Sequence, residues 1–330
     1  MILKNTDYGN CFLASGSLNF FGDGWSYDER YKKYFSGFKE VIETTTFVAK
    51  TTTFYPRPGN MPFDEQTLQP KEFKPKCIKV YPLKGAVLNA VGLSGPGAEN
   101  LFKREKWQAF KRPFFISFMA SGERYIEEHG VITVKTIDKL KETNMFVDLL
   151  AEKLSCFDSP VGLQINVSCP NTKHDTKQLA KEAINYLEVC AKLKLPIDLK
   201  INVLMQTEIV REIEASGLCD MLTLSNTIPY GTSNLGIDWS KFSRKDSPLA
   251  NMGGGGLSGP PIFQTVLRRI RELREAGISM FIKGSGGISK VDDVDRMKLA
   301  GANAIEIGTV LILRPWRALD IVNRAKNVFS

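Results

Sequence analysis

The hexapeptide N-V-S-C-P-N at residues 166–171 contains the side chains best suited to chemistry in this sequence. It follows the apolar run 161–165, so it lies where a strand is expected to end and a polar loop to begin. Its carboxamides can grip a planar ligand, and the thiol between them could remove a proton from carbon. The structural alternative is that Cys169 is a small buried side chain and that Asn166 and Asn171 shape a turn.

Glycine-rich segments provide candidate sites for a phosphate group. Residues 283–288 read K-G-S-G-G-I, and G-T at 308–309 also follows an apolar run and precedes a helical pattern. A third segment, G-G-G-L-S-G, occupies 254–259. Backbone N–H groups in such loops can bind phosphate oxygens, and glycine permits the close approach. One such loop often serves only as a turn, but two after the last two apolar runs favour a phosphate-bearing cofactor.

Apolar runs of strand length alternate with segments of helical period along the chain. Repeated strand–helix units with nearly continuous apolar strands predict a parallel sheet, and eight units predict an α/β fold of the (β/α)8 TIM-barrel type. We expect one domain over residues 1–330. The predicted strands are 11–14, 46–50, 114–118, 163–167, 198–201, 221–224, 279–282 and 304–307, and the predicted helices are 176–193, 206–216, 260–276 and 290–300.

Three long stretches interrupt this alternation. Residues 50–90 are rich in proline and contain a predicted hairpin, residues 123–143 are charged, and residues 230–259 end with the third glycine segment. Insertions at the carboxyl ends of barrel strands belong to the face that carries active sites. We therefore expect these stretches to form walls or lids of the site.

Composition narrows the class of protein. The 330 residues are 43% hydrophobic and 24% charged, with a formal net charge of +8, which predicts a globular chain. Basic residues are not concentrated with stacking aromatic residues, so we expect no nucleic-acid partner. Six cysteines without a C-x-x-C pair and two histidines argue against zinc and a disulfide framework. With neither a signal-peptide pattern nor a spanning apolar segment, we expect a cytoplasmic protein that does not enter a membrane.

Motifs along nearly the whole chain resemble those of the dihydroorotate dehydrogenase family, in its soluble class that uses a cysteine base (class 1). They are A-S-G at 14–16, A-K-T-T-T at 49–53, N-A-V-G-L at 89–93, the hexapeptide at 166–171, L-K-I at 199–201, S-N-T-I at 225–228 and the glycine segments. The resemblance implies FMN as cofactor. It also implies oxidation of dihydroorotate to orotate in pyrimidine synthesis.

The same resemblance implies a role for individual residues. Cys169 would remove the C5 proton while a hydride leaves C6 for the flavin, and Lys200 would lie near the pyrimidine edge of the flavin. The implied substrate contacts are Lys50, Asn89, Asn166, Asn171, Asn226 and Thr227. The implied cofactor contacts are Ala14, Ser15, Gly16, Lys50, Thr51, Asn166, Lys200, Gly256, Gly286, Gly287, Gly308 and Thr309, with the phosphate on the last four.

One loop departs from the family, and several functions stay open. Residues 94–97 read S-G-P-G where relatives usually present an asparagine or a glutamine–asparagine pair. A dihydropyrimidine dehydrogenase-like oxidoreductase that acts on another cyclic amide or conjugated alkene is the first alternative. A phosphosugar isomerase or lyase and a non-catalytic ligand-binding relative are the others. For the oxidoreductase, we expect fumarate or an NAD-linked partner subunit as electron acceptor, and a homodimer.

Overall fold

The computed structural model describes residues 1–128, 131–167, 176–243 and 245–330. Eight strands within these ranges form one sheet whose neighbours all pair in parallel. The sheet runs in the order 2-1-8-7-6-5-4-3 when the strands are numbered along the chain. Barrel strands 1 to 8 are Cys11–Leu13, Thr46–Phe47, Phe114–Phe118, Val161–Asn166, Ile197–Ile201, Met221–Leu224, Phe281–Ser285 and Ala304–Ile307.

Isolated bridges close the sheet between barrel strands 2 and 3. Val48 and Thr52, just beyond barrel strand 2, pair in parallel with Phe115 and Phe118. The N–H of Ala49 donates to the carbonyl of Phe115 at 2.9 Å. All eight predicted strands are present, and the predicted (β/α)8 barrel is confirmed.

Barrel strand 7 lies further along the chain than expected. The prediction was 279–282, whereas the strand spans Phe281–Ser285. The N–H groups of Ser279 and Met280 instead donate to Glu214 Oε1, each at 2.7 Å, which ties them to a helix outside the sheet. As a result Lys283 and Ser285 belong to the strand itself.

Helices surround the barrel, and the four predicted ones are present. The helix predicted at 260–276 begins with the 3-10 turn Pro260–Ile262, and its α-helical part then buries Val266, Ile270 and Leu273 while Arg268 is exposed. Burying each apolar side chain stabilises the fold by about 1.5–3 kcal/mol. The helices are Asp28–Tyr34, Ser36–Thr44, Ala98–Phe102, Lys139–Lys153, Thr176–Ala191, Thr207–Ser216, Phe263–Glu275, Val291–Ala300, Thr309–Leu313 and Ala318–Val328.

A four-stranded antiparallel sheet adjoins the barrel. It contains the predicted hairpin, observed as Ile78–Tyr81 and Ala86–Asn89. Two short strands from the insertion after barrel strand 6, Ile228–Pro229 and Gly256–Ser258, extend it. Sequence periodicity did not predict these two strands because each is too short to show alternation. The strand Gly256–Ser258 pairs with the hairpin strand Ala86–Asn89 and places Gly256 opposite Asn89. This pairing brings two predicted site residues together.

Two further hairpins complete the described strands. Ile2–Leu3 pairs with Thr6–Asp7, and Glu123–Glu128 pairs with Val131–Thr136. The second hairpin occupies most of the charged stretch predicted at 123–143, and the helix Lys139–Lys153 begins at its end, where Asp138 caps the N–H of Lys141 at 2.7 Å. Across the described ranges, no helix is both long enough and apolar enough to cross a lipid bilayer.

Candidate active site

The loops after barrel strands 1 and 2 meet at the carboxyl end of the barrel. Ser15 Oγ lies 2.9 Å from the carbonyl of Ala49 and 2.9 Å from Thr51 Oγ1. A Cβ added to Gly16 would lie 3.9 Å from Lys50 Cγ, so this glycine borders the lysine. The predicted contacts in these two loops are thus brought together.

Lys50, in the loop after barrel strand 2, carries a buried amine. Its Nζ donates to the carbonyl of Ser94 at 2.5 Å and lies 4.6 Å from the centre of the Phe20 ring. Burial lowers the pKa of Lys50 to about 7, against a smaller opposing effect of the Cys77 thiol. A buried amine with this pKa changes its charge near neutrality, so an anionic ligand would draw a proton onto it.

A group of amides lies at the ends of barrel strands 4 and 6. Asn226 Nδ2 donates to Asn166 Oδ1 at 3.3 Å, and the N–H of Thr227 donates to Asn226 Oδ1 at 2.8 Å. A Cβ on Gly256 would overlap Thr227 Oγ1, and Asn89 Nδ2 lies 3.5 Å from the carbonyl of Gly256. Five of the predicted ligand contacts therefore form one polar surface, which suits the edges of a planar amide ligand.

Two predicted site residues lie outside the described residues. Cys169, the predicted base, and Asn171 fall within 168–175, as does His174. Their expected roles stay predictions. Barrel strand 4 ends at Asn166, and Val167 is the last described residue before this segment.

The two glycine loops have the donors that a phosphate group requires. Within the described ranges, no hydrogen bond uses the backbone N–H of Gly286, Gly287 or Thr309. Thr309 Oγ1 donates to Ser258 Oγ at 2.9 Å, which joins the loop after barrel strand 8 to the third glycine segment. Unused N–H groups beside hydroxyls fit the phosphate-bearing cofactor that the sequence predicts.

Packing also explains why glycines occur in these loops. A Cβ on Gly287 would lie 2.6 Å from Phe263 Cβ and 2.8 Å from the Phe263 backbone N, where the helix Phe263–Glu275 begins. A Cβ on Gly308 would lie 2.9 Å from Ala14 Cβ. Substituting Gly287 would therefore disturb the protein directly, and its effect would not report on a ligand alone.

A continuous chain of polar side chains, here named the polar belt, runs around the inside of the barrel. Ser15 contacts Thr51, Thr51 contacts Ser117, Ser117 donates to Gln164, and each of these contacts is 2.9 or 3.0 Å long. Every barrel strand or the loop directly after it contributes a member. The polar belt consists of Ser15, Thr51, Ser117, Gln164, Asp198, Lys200, Thr223, Lys283, Ser285 and Glu306.

Four members of the polar belt carry formal charges and are buried. Lys283 Nζ donates to Asp198 Oδ2 at 2.8 Å and lies 3.2 Å from Glu306 Oε2, in an ion pair that is not aligned as a hydrogen bond. Lys200 Nζ donates to Glu306 Oε1 at 2.9 Å. Burial alone would raise the pKa of Glu306, but the ammonium groups of Lys200 and Lys283 lower it to about 2. Asp198 and Glu306 likewise outweigh burial and raise the pKa of Lys283.

Lys200 was predicted from the sequence, but the other three charged members of the polar belt were not. The available signal was a charged residue inside an apolar strand, as at Asp198, Lys283 and Glu306, because such side chains are rarely buried without a partner. In the sequence, Ser94 is distinguished only as part of the loop that departs from the family. Its carbonyl accepts from Lys50, while its hydroxyl donates to the carbonyl of Val91 at 2.9 Å.

Ion pairs and hydrogen bonds join the insertions that border this face. Arg57 Nη1 contacts Glu123 Oε2 at 2.5 Å, and Arg57 Nε donates to the carbonyl of Gly92 at 3.0 Å. The buried carboxylate of Glu142 accepts the N–H of Gly122 at 2.9 Å and the N–H of Phe54 at 3.3 Å. The stretches 50–90 and 123–143, both predicted to be walls of the site, are therefore tied to each other.

This chain matches one family model and is similar to several known proteins. Residues 2–327 match the family model described as dihydroorotate dehydrogenase. The catalytic subunit of dihydroorotate dehydrogenase B (NAD(+)) from Listeria monocytogenes serotype 4b (strain CLIP80459) is 28% identical over 298 residues, which are 88% of this chain and 82% of the relative. The protein of the same name from Bacillus pumilus (strain SAFR-032) is 27% identical over 281 residues, 82% of this chain and 80% of the relative.

Solved structures of similar fold include DHODH from Eimeria tenella in complex with ferulenol. The superposition covers 99% of this chain and 82% of the solved chain, with a TM-score of 0.64 and 18% sequence identity. The ligand-free form from the same organism covers 85% of this chain and 75% of its own, with a TM-score of 0.58 and 19% identity. At this identity the likeness supports the barrel fold alone.

Proposed function

Because this chain belongs to the dihydroorotate dehydrogenase family, we propose that it oxidises dihydroorotate to orotate in pyrimidine synthesis with bound FMN. The family match over nearly the whole chain carries this proposal. The polar surface at the carboxyl end of the barrel supports it, because amides, a buried amine and glycine loops are the groups that a pyrimidine carboxylate and a phosphorylated flavin require.

The chemistry converts the C5–C6 single bond of dihydroorotate into a double bond. FMN supplies the hydride acceptor when it is bound. The side chain of Cys169 takes the C5 proton onto its sulfur as the C6 hydrogen leaves with its electron pair. Asn89, Asn166, Asn171, Asn226 and Thr227 hold the flat ring, and Lys50 pairs with the substrate carboxylate. A thiol has an ordinary pKa of about 8.5, so the reaction should accelerate as pH rises through the Cys169 ionisation.

The cofactor contacts follow the elements of the barrel. The phosphate would accept hydrogen bonds from Gly286, Gly287, Gly308 and Thr309, after barrel strands 7 and 8. Lys200 would stabilise the negative charge of the reduced ring, because a nearby cation favours an anion in a buried site. The remaining proposed contacts are Ala14, Ser15, Gly16, Lys50, Thr51, Asn166 and Gly256.

A partner subunit is the electron acceptor that we propose first. The relatives from Listeria and Bacillus are named as catalytic subunits of an NAD(+)-linked enzyme. By analogy, this chain would pass electrons to a subunit that binds NAD. Fumarate stays the alternative acceptor, and we propose a homodimer of this chain in either case.

The proposed function is tested by colour. Purified protein should be yellow, release FMN on denaturation, and bleach when dihydroorotate is added without oxygen. A colourless protein that cannot be reconstituted with FMN would overturn the cofactor assignment. A yellow protein that dihydroorotate leaves oxidised, but that another cyclic amide bleaches, would move the substrate assignment to the dihydropyrimidine dehydrogenase-like alternative.

Binding of orotate should depend on the charge of Lys50. Burial lowers the pKa of Lys50 to about 7. In the enzyme without orotate, the Lys50 side chain is therefore mostly protonated below that pH and mostly neutral above it. The carboxylate of orotate favours the protonated form, so the Kd should be constant below pH 7 and rise about tenfold per pH unit above it. The change in flavin absorbance on titration with orotate measures this Kd between pH 6 and 9.

A lysine variant provides the control for this dependence. Lys50→Met should bind orotate weakly and without the rise above pH 7, whereas Lys79→Met, at an exposed position of the hairpin, should behave as wild type. A Kd that rises equally with pH in the Lys50→Met protein would assign the titration to another group.

A further inference from the structure

The carboxylate of Glu306 lies between the two buried lysines of the barrel. We propose that Glu306 is a positioning residue that fixes the ammonium group of Lys200 and offsets its charge, and thereby lowers the reduction potential of the bound flavin. The inference rests on the proposed function, because it takes Lys200 to be the cation beside the flavin ring.

The position of Glu306 is defined by contacts on both of its oxygens. Oε1 accepts from Lys200 Nζ at 2.9 Å and from Ser285 Oγ at 2.8 Å, while Oε2 lies 3.2 Å from Lys283 Nζ. The side chain of Glu306 is 0% exposed and that of Lys200 is 6% exposed. With so little solvent to replace these partners, moving the carboxylate would leave buried charges unpaired, which is costly.

The polar belt holds Glu306 through Lys283. That lysine also donates to Asp198, whose carboxylate accepts Gln164 Nε2 at 2.8 Å and Thr223 Oγ1 at 2.6 Å. Barrel strands 4, 5, 6 and 7 therefore all support the carboxylate on barrel strand 8. Lys200 donates to Glu306, so this arrangement also fixes the position of the Lys200 ammonium group.

The charges of this cluster cancel. Lys200 and Lys283 are cations, and Asp198 and Glu306 are anions. A lone buried lysine would act on a neighbouring ring as a point charge, whereas a lysine with a carboxylate 2.9 Å away acts as a dipole, whose field falls off more steeply. Glu306 should therefore weaken the preference of the site for the reduced, anionic flavin.

The test is the midpoint potential of the flavin in purified holoenzyme. Glu306→Gln keeps the shape of the side chain and an oxygen that can accept from Lys200 and Ser285, but it removes one negative charge. We expect the ratio of the affinity for reduced flavin to the affinity for oxidised flavin to rise at least tenfold. A tenfold rise in this ratio raises the two-electron potential by about 30 mV. Ser285→Ala, the control, removes a neutral contact of the same carboxylate and should change this ratio less than twofold.

A second pair of variants keeps the test decisive if Glu306→Gln does not fold. Lys200→Met should lower the ratio at least tenfold, because it leaves Glu306 with Lys283 as its one described cation and the cluster with a net negative charge. Adding Glu306→Gln to Lys200→Met restores a neutral cluster and should recover most of that loss. An unchanged potential on removing Glu306, in either background, overturns the inference.

The outcomes separate this inference from the proposed function. Wild-type protein that carries FMN and is bleached by dihydroorotate upholds the function whatever the variants show. Failure of the wild type to bind flavin overturns both the function and the inference. Bleaching of the wild type together with an unchanged potential in the variants overturns the role of Glu306 alone.

Discussion

Cys169→Ala is expected to bind FMN and dihydroorotate nearly as wild type does, and to lose about 10²–10⁴-fold in the rate of flavin reduction. Proton transfer by a positioned side chain typically contributes this factor, and alanine cannot accept the C5 proton. Rapid mixing with dihydroorotate under anaerobic conditions measures the rate of bleaching directly. Equilibrium titration with orotate in the same protein shows whether binding is intact.

Matched variants separate the role of Cys169 from a general effect of losing a thiol. Cys156→Ala, at an exposed cysteine in the 3-10 turn Leu154–Cys156, should reduce its flavin as fast as wild type. Cys169→Ser should be impaired near neutral pH, because a hydroxyl is far less acidic than a thiol. If Cys169→Ala bleaches at the wild-type rate, Cys169 is not the base, and His129 and His174 become the candidates.

Lys283→Met is expected to lower the free energy of unfolding by about 3–5 kcal/mol. This change leaves Asp198 without its ammonium partner and Glu306 with only Lys200, and removing one partner of a buried ion pair typically costs this much. Chemical denaturation at neutral pH measures the loss. The contribution of Glu306 is fully present there, because its pKa is lowered to about 2 in the folded protein and the contribution is lost only as pH falls from about 4.5 toward that value.

An exposed lysine provides the comparison for this stability change. Lys79→Met should alter the free energy of unfolding by about 0.5 kcal/mol or less, as most surface substitutions do. A loss below about 1 kcal/mol in Lys283→Met would show that water or rearranged partners satisfy the two carboxylates.

Local pattern was enough to predict the barrel and many of its loops. Eight apolar runs with intervening helical segments predicted all eight barrel strands, because burial on both faces leaves a continuous apolar signal. The glycine segments and the amides at strand ends could be placed at one face for a related reason. In a parallel barrel the carboxyl ends of all strands meet there, so position along a strand is enough to predict the neighbourhood.

The pairing of charges, the first residue of barrel strand 7 and the acceptor of Lys50 were decided only by the tertiary structure. Lys200 and Glu306 are 106 residues apart, and their contact depends on the register of strands that the sequence does not encode locally. Barrel strand 7 begins later than predicted because two backbone N–H groups before it donate to Glu214, which lies on a helix outside the sheet. Lys50 donates to the backbone carbonyl of Ser94 because of the loop geometry. Every residue type has a backbone carbonyl, so the sequence does not indicate which one accepts this hydrogen bond.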